Sequence, residues 1–236
     1  MKIEVLFSEV CNLSGDFQNV EYLRQSLPEA DFIFTSLMDI PYFAENRPDM
    51  VLMGTMTEAV QRRVIEILQP YRDRLEKLID DGVVFLMTGN ACEVFVRHID
   101  YVTEKLSVDG LGLFDLTAKT DLFHRYNGKF LGDIDGIPVV GFRSQFSFLY
   151  GDNSGGFVGK NRRSIGINPQ TDLEGIRRKN FFGTNLQGPI LPLNPLFCEH
   201  LMALAGVREP HAAHRGAAMT AYEQRLREFR DPKVKF

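Results

Sequence analysis

Cysteine is scarce in this 236-residue chain, and its scarcity excludes two common ways of stabilising a fold. Cys11, Cys92 and Cys198 are odd in number, and none forms a C-x-x-C pair. A disulfide framework needs paired cysteines, and a structural zinc site needs closely spaced ligands. We therefore expect reduced thiols, and we predict neither a metal site nor a cofactor.

Long apolar runs and an excess of positive charge are also missing. Lys2 and Glu4 interrupt the first apolar segment, "MKIEVLF", and no later apolar stretch approaches the roughly 18 residues of a membrane span. Lys and Arg number 27 against 31 Asp and Glu, so the net charge is −4. A nucleic-acid partner is therefore not expected. These features predict a soluble, cytoplasmic protein without a membrane span.

The first half of the chain alternates short apolar runs with segments of helical period. Strands are predicted at "KIEVLF", "ADFIFTSL", "DMVLMG" and "VVFLM". Helices are predicted at "NVEYLRQSL", over the long stretch around Pro70 that ends at Gly82, and at "ACEVFVRHI". Because "VVFLM" is apolar throughout, it is typical of an interior strand of a parallel sheet covered on both faces. This order predicts an α/β fold.

The second half has glycines between short apolar runs, which predicts antiparallel additions and loops. "NPLFCEHLMALAG" is predicted to be a helix with Asn194 as its cap and Gly206 at its end. The chain after this helix is polar, and "TAYEQRLREF" places Tyr222, Leu226 and Phe229 on one helical face. We expect one domain over residues 1–206 and a tail over residues 207–236 that packs on it.

Four segments carry a resemblance to a known family: "CNLSGDFQNV", "MGTMTEAVQ", "GLGLFDLTAKTD" and "LEGIRRKNFFGTNLQGPILPLNP". In this order, they resemble the class I glutamine amidotransferase-like family. The branch is that of cobyric acid synthase and the glutaminase subunit of lipid II isoglutaminyl synthase. The last segment is the most specific, because its G-T-x-L-x-G-P-x-L-P-x-N-P pattern fixes many positions.

The resemblance implies a flavodoxin-like three-layer sandwich with a mainly parallel central sheet. It also implies a Cys on a strand-to-helix turn that attacks the side-chain amide of glutamine, and a His that moves the proton as ammonia leaves. A helix N-terminus stabilises a thiolate, and nearby backbone N–H groups hold the oxyanion.

This sequence differs from the family pattern at the catalytic positions. The family's C-G-G-Y-Q-like turn aligns with Thr88 to Cys92, so Thr88 stands at the nucleophile position. Gln187 stands at the His of the G-T-Y-L-H-like segment, and "GTM" at residues 54–56 replaces a run of glycines. An amide cannot act as a base near neutral pH, and losing one member of such a unit costs about a million-fold in turnover in a hydrolase. Cys92 is the alternative nucleophile.

The resemblance also implies a substrate pocket, in which Arg125 corresponds to a family Arg that holds glutamine. The predicted pocket residues are Gly54, Thr55, Thr88, Gly89, Asn90, Arg125 and Gln187.

Three functions remain open at this point. The first is a non-catalytic binding or regulatory protein that accepts a small polar ligand such as glutamine and associates with a Mur-ligase-like or other synthetase subunit. The second is an enzyme that uses Cys92 or Thr88 with a base not evident in the sequence. The third is an active glutaminase whose catalytic residues align elsewhere. In the first case, Thr88→Cys with Gln187→His should restore little activity unless the "GTM" turn also returns to glycines.

Overall fold

The computed structural model describes residues 1–187 and 189–235. Gly188, within the "GTNLQGP" motif, and Phe236, at the end of the predicted tail, lie outside the described residues. The strands are β1 Lys2–Leu6, β2 Asp31–Thr35, β3 Met50–Met53, β4 Val84–Thr88, β5 Val96–Tyr101, β6 Leu106–Asp109, β7 Phe114–Thr120, β8 Tyr126–Ile134, β9 Ile137–Gln145, β10 Ser147–Tyr150, β11 Gly159–Asn161, β12 Leu173–Glu174, β13 Ile176–Arg178 and β14 Phe181–Thr184. The α-helices are α1 Phe17–Ser26, α2 Tyr42–Glu45, α3 Glu58–Leu68, α4 Arg72–Asp80, α5 Ile190–Leu193, α6 Pro195–Leu204 and α7 Arg215–Arg230.

A central sheet has the strand order β13-β14-β4-β3-β1-β2. Every neighbouring pair in it is parallel except β13 with β14. The apolar run "VVFLM" supplies β4, which lies between β3 and β14 and is buried over its whole length. The predicted interior position of this strand is therefore confirmed.

Side chains that alternate along β4 enter two different cores, as the pleat of a strand requires. Phe85 and Met87 belong to one apolar cluster, which also contains the buried apolar residues of α3 and α4. Val84 and Leu86 belong to a second cluster with residues of α1 and α6. Helices thus cover both faces of the sheet, which confirms the predicted α/β sandwich with a mainly parallel central sheet.

Two four-stranded sheets follow the parallel part, as the glycine-rich second half predicts. One has the order β10-β7-β5-β6, with a parallel pair at its centre, and the other is the antiparallel sheet β12-β11-β8-β9. Within residues 1–187 and 189–235, no helix is long and apolar enough to cross a membrane.

The helix predicted over "ACEVFVRHI" is wrong. A 3₁₀ segment, Gly89–Phe95, follows β4 directly and leads into β5. All residues of that segment except Asn90 are buried, so it lacks the polar face of a surface helix. Val96 and Ile99 instead pair with neighbouring strands, as β-branched residues prefer.

Two helices of the C-terminal region have the predicted residues. Asn194 occupies the predicted N-cap position of α6, but the predicted capping by its side chain is wrong. The Asn194 side chain does not bind the N-terminus of α6. Its Oδ1 accepts from Val140 N at 2.8 Å, and its Nδ2 donates to Val140 O at 2.8 Å. Asn194 therefore satisfies the backbone N–H and C=O of Val140 at the edge strand β9, as a neighbouring strand would. On α7, Tyr222, Leu226 and Phe229 pack in a cluster with Leu131 of β8 and Val140 of β9.

A buried ion pair joins the two outer strands of the antiparallel sheet, and its carboxylate also contacts the end of β14 in the central sheet. Arg143 of β9 and Glu174 of β12 form a salt bridge in which both side chains are fully buried. Arg143 also donates to Gly166 O at 2.6 Å, and Glu174 Oε1 accepts from Thr184 Oγ1 at 2.7 Å and Asn185 N at 3.1 Å. This carboxylate therefore fixes the backbone immediately after β14.

We predict that Glu174→Gln lowers the free energy of unfolding by about 3–5 kcal/mol, because it leaves the Arg143 charge buried without a counterion. Urea unfolding followed by circular dichroism measures the change. The control is Glu66→Gln, which breaks an exposed pair with Arg63 on α3 and should cost at most about 1 kcal/mol. Equal losses in the two variants would contradict the role given to the buried pair.

Candidate functional site

A cavity of about 610 Å³ opens beside the carboxyl ends of β3, β4 and β14. Ligand sites of open α/β sheets occur at this edge, because the loops that follow parallel strands meet there. Residues of β9, β10 and the turn before β8 close the other side. The lining residues are Leu13, Ser14, Thr55, Met56, Thr57, Glu58, Gly89, Asn90, Glu93, Thr120, Leu122, Arg125, Phe142, Ser144, Gln145, Phe146, Ser147, Asn185 and Gln187.

Five of the seven predicted pocket residues line this cavity: Thr55, Gly89, Asn90, Arg125 and Gln187. The structure corrects the expected position of the other two. Gly54 and Thr88 line a separate cavity of about 20 Å³ near Asp16. Thr88 is the last residue of β4 and is 3% exposed, and its hydroxyl donates to Asp16 Oδ1 at 2.6 Å. The side chain therefore points away from the large cavity.

Asp16 connects the three loops that meet at this end of the sheet. Its Oδ1 also accepts from Thr55 Oγ1 at 3.2 Å, and its Oδ2 accepts from Ser14 N at 3.2 Å. Gly54 lies so close to this carboxylate that an added Cβ would be 2.4 Å from Asp16 Cβ. The glycine at this position is therefore required by the close approach of two loops.

The sharp turn after β4 lies at Gly89 rather than at Thr88. Thr88 has extended backbone angles, φ −99° and ψ 147°, whereas Gly89 has φ +59°. A Cβ added at Gly89 would lie 2.3 Å from Thr55 Oγ1. The space next to this turn is thus filled by a side chain from the "GTM" segment.

Asn90 pairs with the backbone of the same segment. Its Oδ1 accepts from Met56 N at 3.0 Å, and its Nδ2 donates to Met56 O at 2.9 Å. The Met56 N–H is therefore already used within the protein.

Cys92, the alternative nucleophile, does not line the cavity. The residue is fully buried, and its Sγ donates to Gly89 O at 3.2 Å. Burial, followed by the nearby charges of Glu93 and Glu174, raises the pKa of this thiol well above its ordinary value. The thiol is therefore neutral and enclosed in the core, which is the opposite of what a nucleophile requires.

Gln187 and Arg125 lie on the side of the cavity opposite the parallel strands. Gln187 pairs with Phe142 through its backbone, and its Nε2 is 3.4 Å from Ser144 O. Arg125 is exposed, and its guanidinium lies 4.6 Å from the ring centre of Phe146. A charged group at the mouth of the cavity can attract a ligand of opposite charge.

Glu93 was not predicted as a site residue, although it is the one charged residue in the apolar stretch "ACEVFV". It is 1% exposed and lines the cavity, and its Oε2 accepts from Gln61 Nε2 at 3.1 Å. Gln61 in turn accepts from Tyr101 OH at 2.8 Å. Burial raises the pKa of Glu93 to about 7, against the opposing influence of the Ser147 and Gln61 side chains. This carboxyl therefore titrates near neutral pH.

In the part of the chain that the structure describes, no three His, Cys, Asp or Glu residues lie close enough together to hold a metal ion.

Glu93 makes the stability of the protein depend on pH. Its pKa is raised from 4.5 to about 7 in the folded state, so its contribution is greatest below pH 4.5 and is lost as the pH rises to about 7. The loss amounts to about 3 kcal/mol, since one pKa unit corresponds to about 1.4 kcal/mol. We predict that Glu93→Gln removes this component, so that the variant gains stability relative to wild type between pH 5 and 8. Urea unfolding at several pH values tests this, with Glu58→Gln as the control; parallel pH profiles for wild type and Glu93→Gln would contradict it.

Comparison with known proteins gives one informative result. No family model matches the chain. The chain is 26% identical over 207 residues to the subunit GatD of lipid II isoglutaminyl synthase (glutamine-hydrolyzing) from Staphylococcus aureus (strain N315). The match covers 86% of this chain and 83% of that protein. The chain is thus a distant relative of a subunit of a glutamine-hydrolysing synthase.

Proposed function

We propose that this protein is a non-catalytic glutamine amidotransferase-like protein that binds a small polar ligand in the cavity and acts with a synthetase subunit. The observation that carries the proposal is the contact between Thr55 and Gly89. A nucleophile needs a side chain at the turn after β4, and Thr55 Oγ1 lies 2.3 Å from the position that a Cβ would take there.

The proposal does not depend on how the family's C-G-G-Y-Q motif is aligned. In one alignment it covers Thr88 to Cys92, and Thr88 stands at the nucleophile position. The positive φ of Gly89 favours a shift by one residue, which aligns the motif with Gly89 to Glu93. Nucleophiles on such strand-to-helix turns sit in strained conformations of this kind. Neither alignment places a thiol at the first position.

The other parts of the catalytic unit are also missing from the described lining of the cavity. It contains no His or Cys, and Gln187 supplies an amide where a base is needed. The Met56 N–H is bound to Asn90, so it is not available to hold an oxyanion. The 3₁₀ segment after Gly89 replaces the α-helix whose dipole stabilises a thiolate.

The second hypothesis, an enzyme that uses Cys92, finds little support in the geometry. The Cys92 thiol is bound to Gly89 O within the core, and its side chain faces away from the cavity. Nucleophilic attack by the Thr88 hydroxyl is also poorly supported, because this hydroxyl already donates to Asp16.

The partner in this proposal comes from the relative's name, which describes one subunit of a synthase. A subunit that retains the fold but not the chemistry can still bind and regulate the other subunit. We therefore propose a synthetase subunit, such as a Mur-ligase-like protein, as the partner.

We predict that the purified protein releases no glutamate or ammonia from glutamine above the rate without protein, alone or with a candidate synthetase subunit. A coupled glutamate dehydrogenase assay measures this. Wild-type turnover that is abolished by Cys92→Ala would contradict the proposal and identify Cys92 as the nucleophile. Turnover that survives Cys92→Ala but not Thr88→Ala would instead indicate a hydroxyl nucleophile.

A second prediction distinguishes the two motif alignments. In a Cys92→Ser background, Gly89→Cys with Thr55→Gly and Gln187→His should react with a glutamine-analogue alkylator, because the removal of Thr55 opens space for the new side chain. Thr88→Cys with Gln187→His should react at least tenfold more slowly, because residue 88 faces Asp16. Intact-mass spectrometry measures the adduct, and faster labelling at position 88 would favour the alignment that begins at Thr88.

A further inference from the structure

Four buried polar atoms on the wall of the cavity form no hydrogen bond of good geometry among the described residues. They are Glu93 Oε1, Thr120 Oγ1, Gln145 Oε1 and Ser147 Oγ, and we call them the acceptor wall. Two of them belong to neighbouring groups, because the Ser147 side chain lies close enough to the Glu93 carboxyl to lower its pKa. All four residues are less than one-tenth exposed. They come from the 3₁₀ segment and from the ends of β7, β9 and β10, so the tertiary structure brings them together.

Unpartnered buried polar atoms are rare in folded proteins, because each one has lost its bonds to water without replacement. In the described part of the chain, the buried side-chain atoms of this kind belong to six residues, and four of the six line this cavity. The concentration of such atoms at a single cavity indicates that their partners come from a bound molecule.

The hydrogen-bonding groups of the acceptor wall indicate which kind of ligand group it can bind. The oxygens of Glu93 and Gln145 accept hydrogen bonds, and the orientation of the Gln145 amide is fixed because its Nε2 donates to Ser147 O at 2.6 Å. Hydroxyls such as those of Thr120 and Ser147 can accept as well. The wall thus offers acceptors and, through Glu93, a negative charge. A primary ammonium group has three N–H donors and a positive charge, so it complements this set.

We propose that the acceptor wall binds the primary ammonium group of a small organic amine. This inference rests on the proposed function, since it names the ligand class of the same cavity. Glu93 provides the counter-charge, and the hydroxyls and the Gln145 amide oxygen accept the remaining N–H groups. A carboxamide group is not required for binding.

Binding of an ammonium group at this wall depends on pH through Glu93, whose burial raises its pKa to about 7. Four other titratable groups lie close to Glu93 or face it across the cavity: Glu58 of α3, Tyr101 of β5, Arg125 before β8, and Cys92. Burial raises the pKa values of Tyr101 and Cys92, so both stay neutral near pH 7. The charge of Glu58 adds to the attraction for a cation, and that of Arg125 opposes it.

The test is isothermal titration calorimetry of n-butylamine against the full-length protein at pH 8.5 and pH 5.5. The amine is protonated at both pH values, since alkyl ammonium groups have pKa values of about 10. Glu93, in contrast, is about 97% ionised at pH 8.5 and about 3% at pH 5.5, given a pKa near 7. We expect binding about 30-fold weaker at pH 5.5, and binding of n-butanol at least tenfold weaker than that of n-butylamine at pH 8.5.

Variants separate the acceptor wall from a general electrostatic effect. Glu93→Gln should weaken n-butylamine binding at pH 8.5 at least tenfold and remove its pH dependence. Glu58→Gln, which removes the same charge from another part of the cavity lining, should weaken it less than threefold. Thr120→Val should weaken binding and also raise Tm, because the hydroxyl that it removes has no partner in the described chain. That rise in Tm shows that the weaker binding is not due to unfolding.

The proposal is overturned if n-butylamine does not bind at pH 8.5, if n-butanol binds equally well, or if Glu58→Gln has as large an effect as Glu93→Gln. These results leave the proposed function intact, provided that glutamine is still not hydrolysed. Glutamine turnover would instead overturn the proposed function, whatever the titrations show.

Discussion

The buried ion pair between Arg143 and Glu174 is the interaction on which the shape of the site depends. It attaches β9 to the backbone that follows β14, and that backbone continues to Gln187. The segment from Phe142 to Ser147, which closes one side of the cavity, begins next to this pair. The buried Glu174 carboxylate needs all of its partners, and these include Thr184 and Asn185 at the end of β14 as well as Arg143. The antiparallel sheet therefore has little freedom to move away from the central sheet. The cavity is therefore a fixed feature of the fold.

At the opposite wall, the turn after β4 has the backbone conformation expected of a catalytic turn, but it lacks a nucleophilic side chain and free N–H groups. Gly89 has the positive φ of such a turn, Thr55 fills the adjacent space, and Asn90 binds the Met56 backbone. Each of these contacts stabilises the protein without a substrate. A catalytic site needs the reverse, with open space and free N–H groups at the point where charge develops. The local packing thus supports binding more than chemistry.

The turn after β4 is fully packed. The nearby residues Glu93, Thr120, Gln145 and Ser147, in contrast, have buried polar atoms that form no hydrogen bond of good geometry within the described chain. Their burial lowers the stability of the free protein, since buried polar atoms lose their bonds to water and Glu93 begins to ionise in the core near neutral pH. Groups that lower stability are common at functional sites, because function needs side chains that an optimally stable fold would not keep. The pH dependence of stability and that of ligand binding have the same origin, since both depend on the Glu93 carboxyl group.

The sequence by itself determined four of the five parallel strands, all but β14, and most of the loops at the site. Apolar runs and helical periods identified β1 to β4 and the helices around them, and the motifs identified Thr55, Gly89, Asn90, Arg125 and Gln187, which line the cavity. Only the tertiary structure decided the direction of Thr88, the strand that replaces the helix predicted after the turn, and the gathering of Glu93, Thr120, Gln145 and Ser147. Successive side chains of a strand face opposite sides, so an uncertainty of one residue in the position of the turn reverses the direction of Thr88. The four residues of the acceptor wall share no local pattern, because strand pairings between distant segments bring them together.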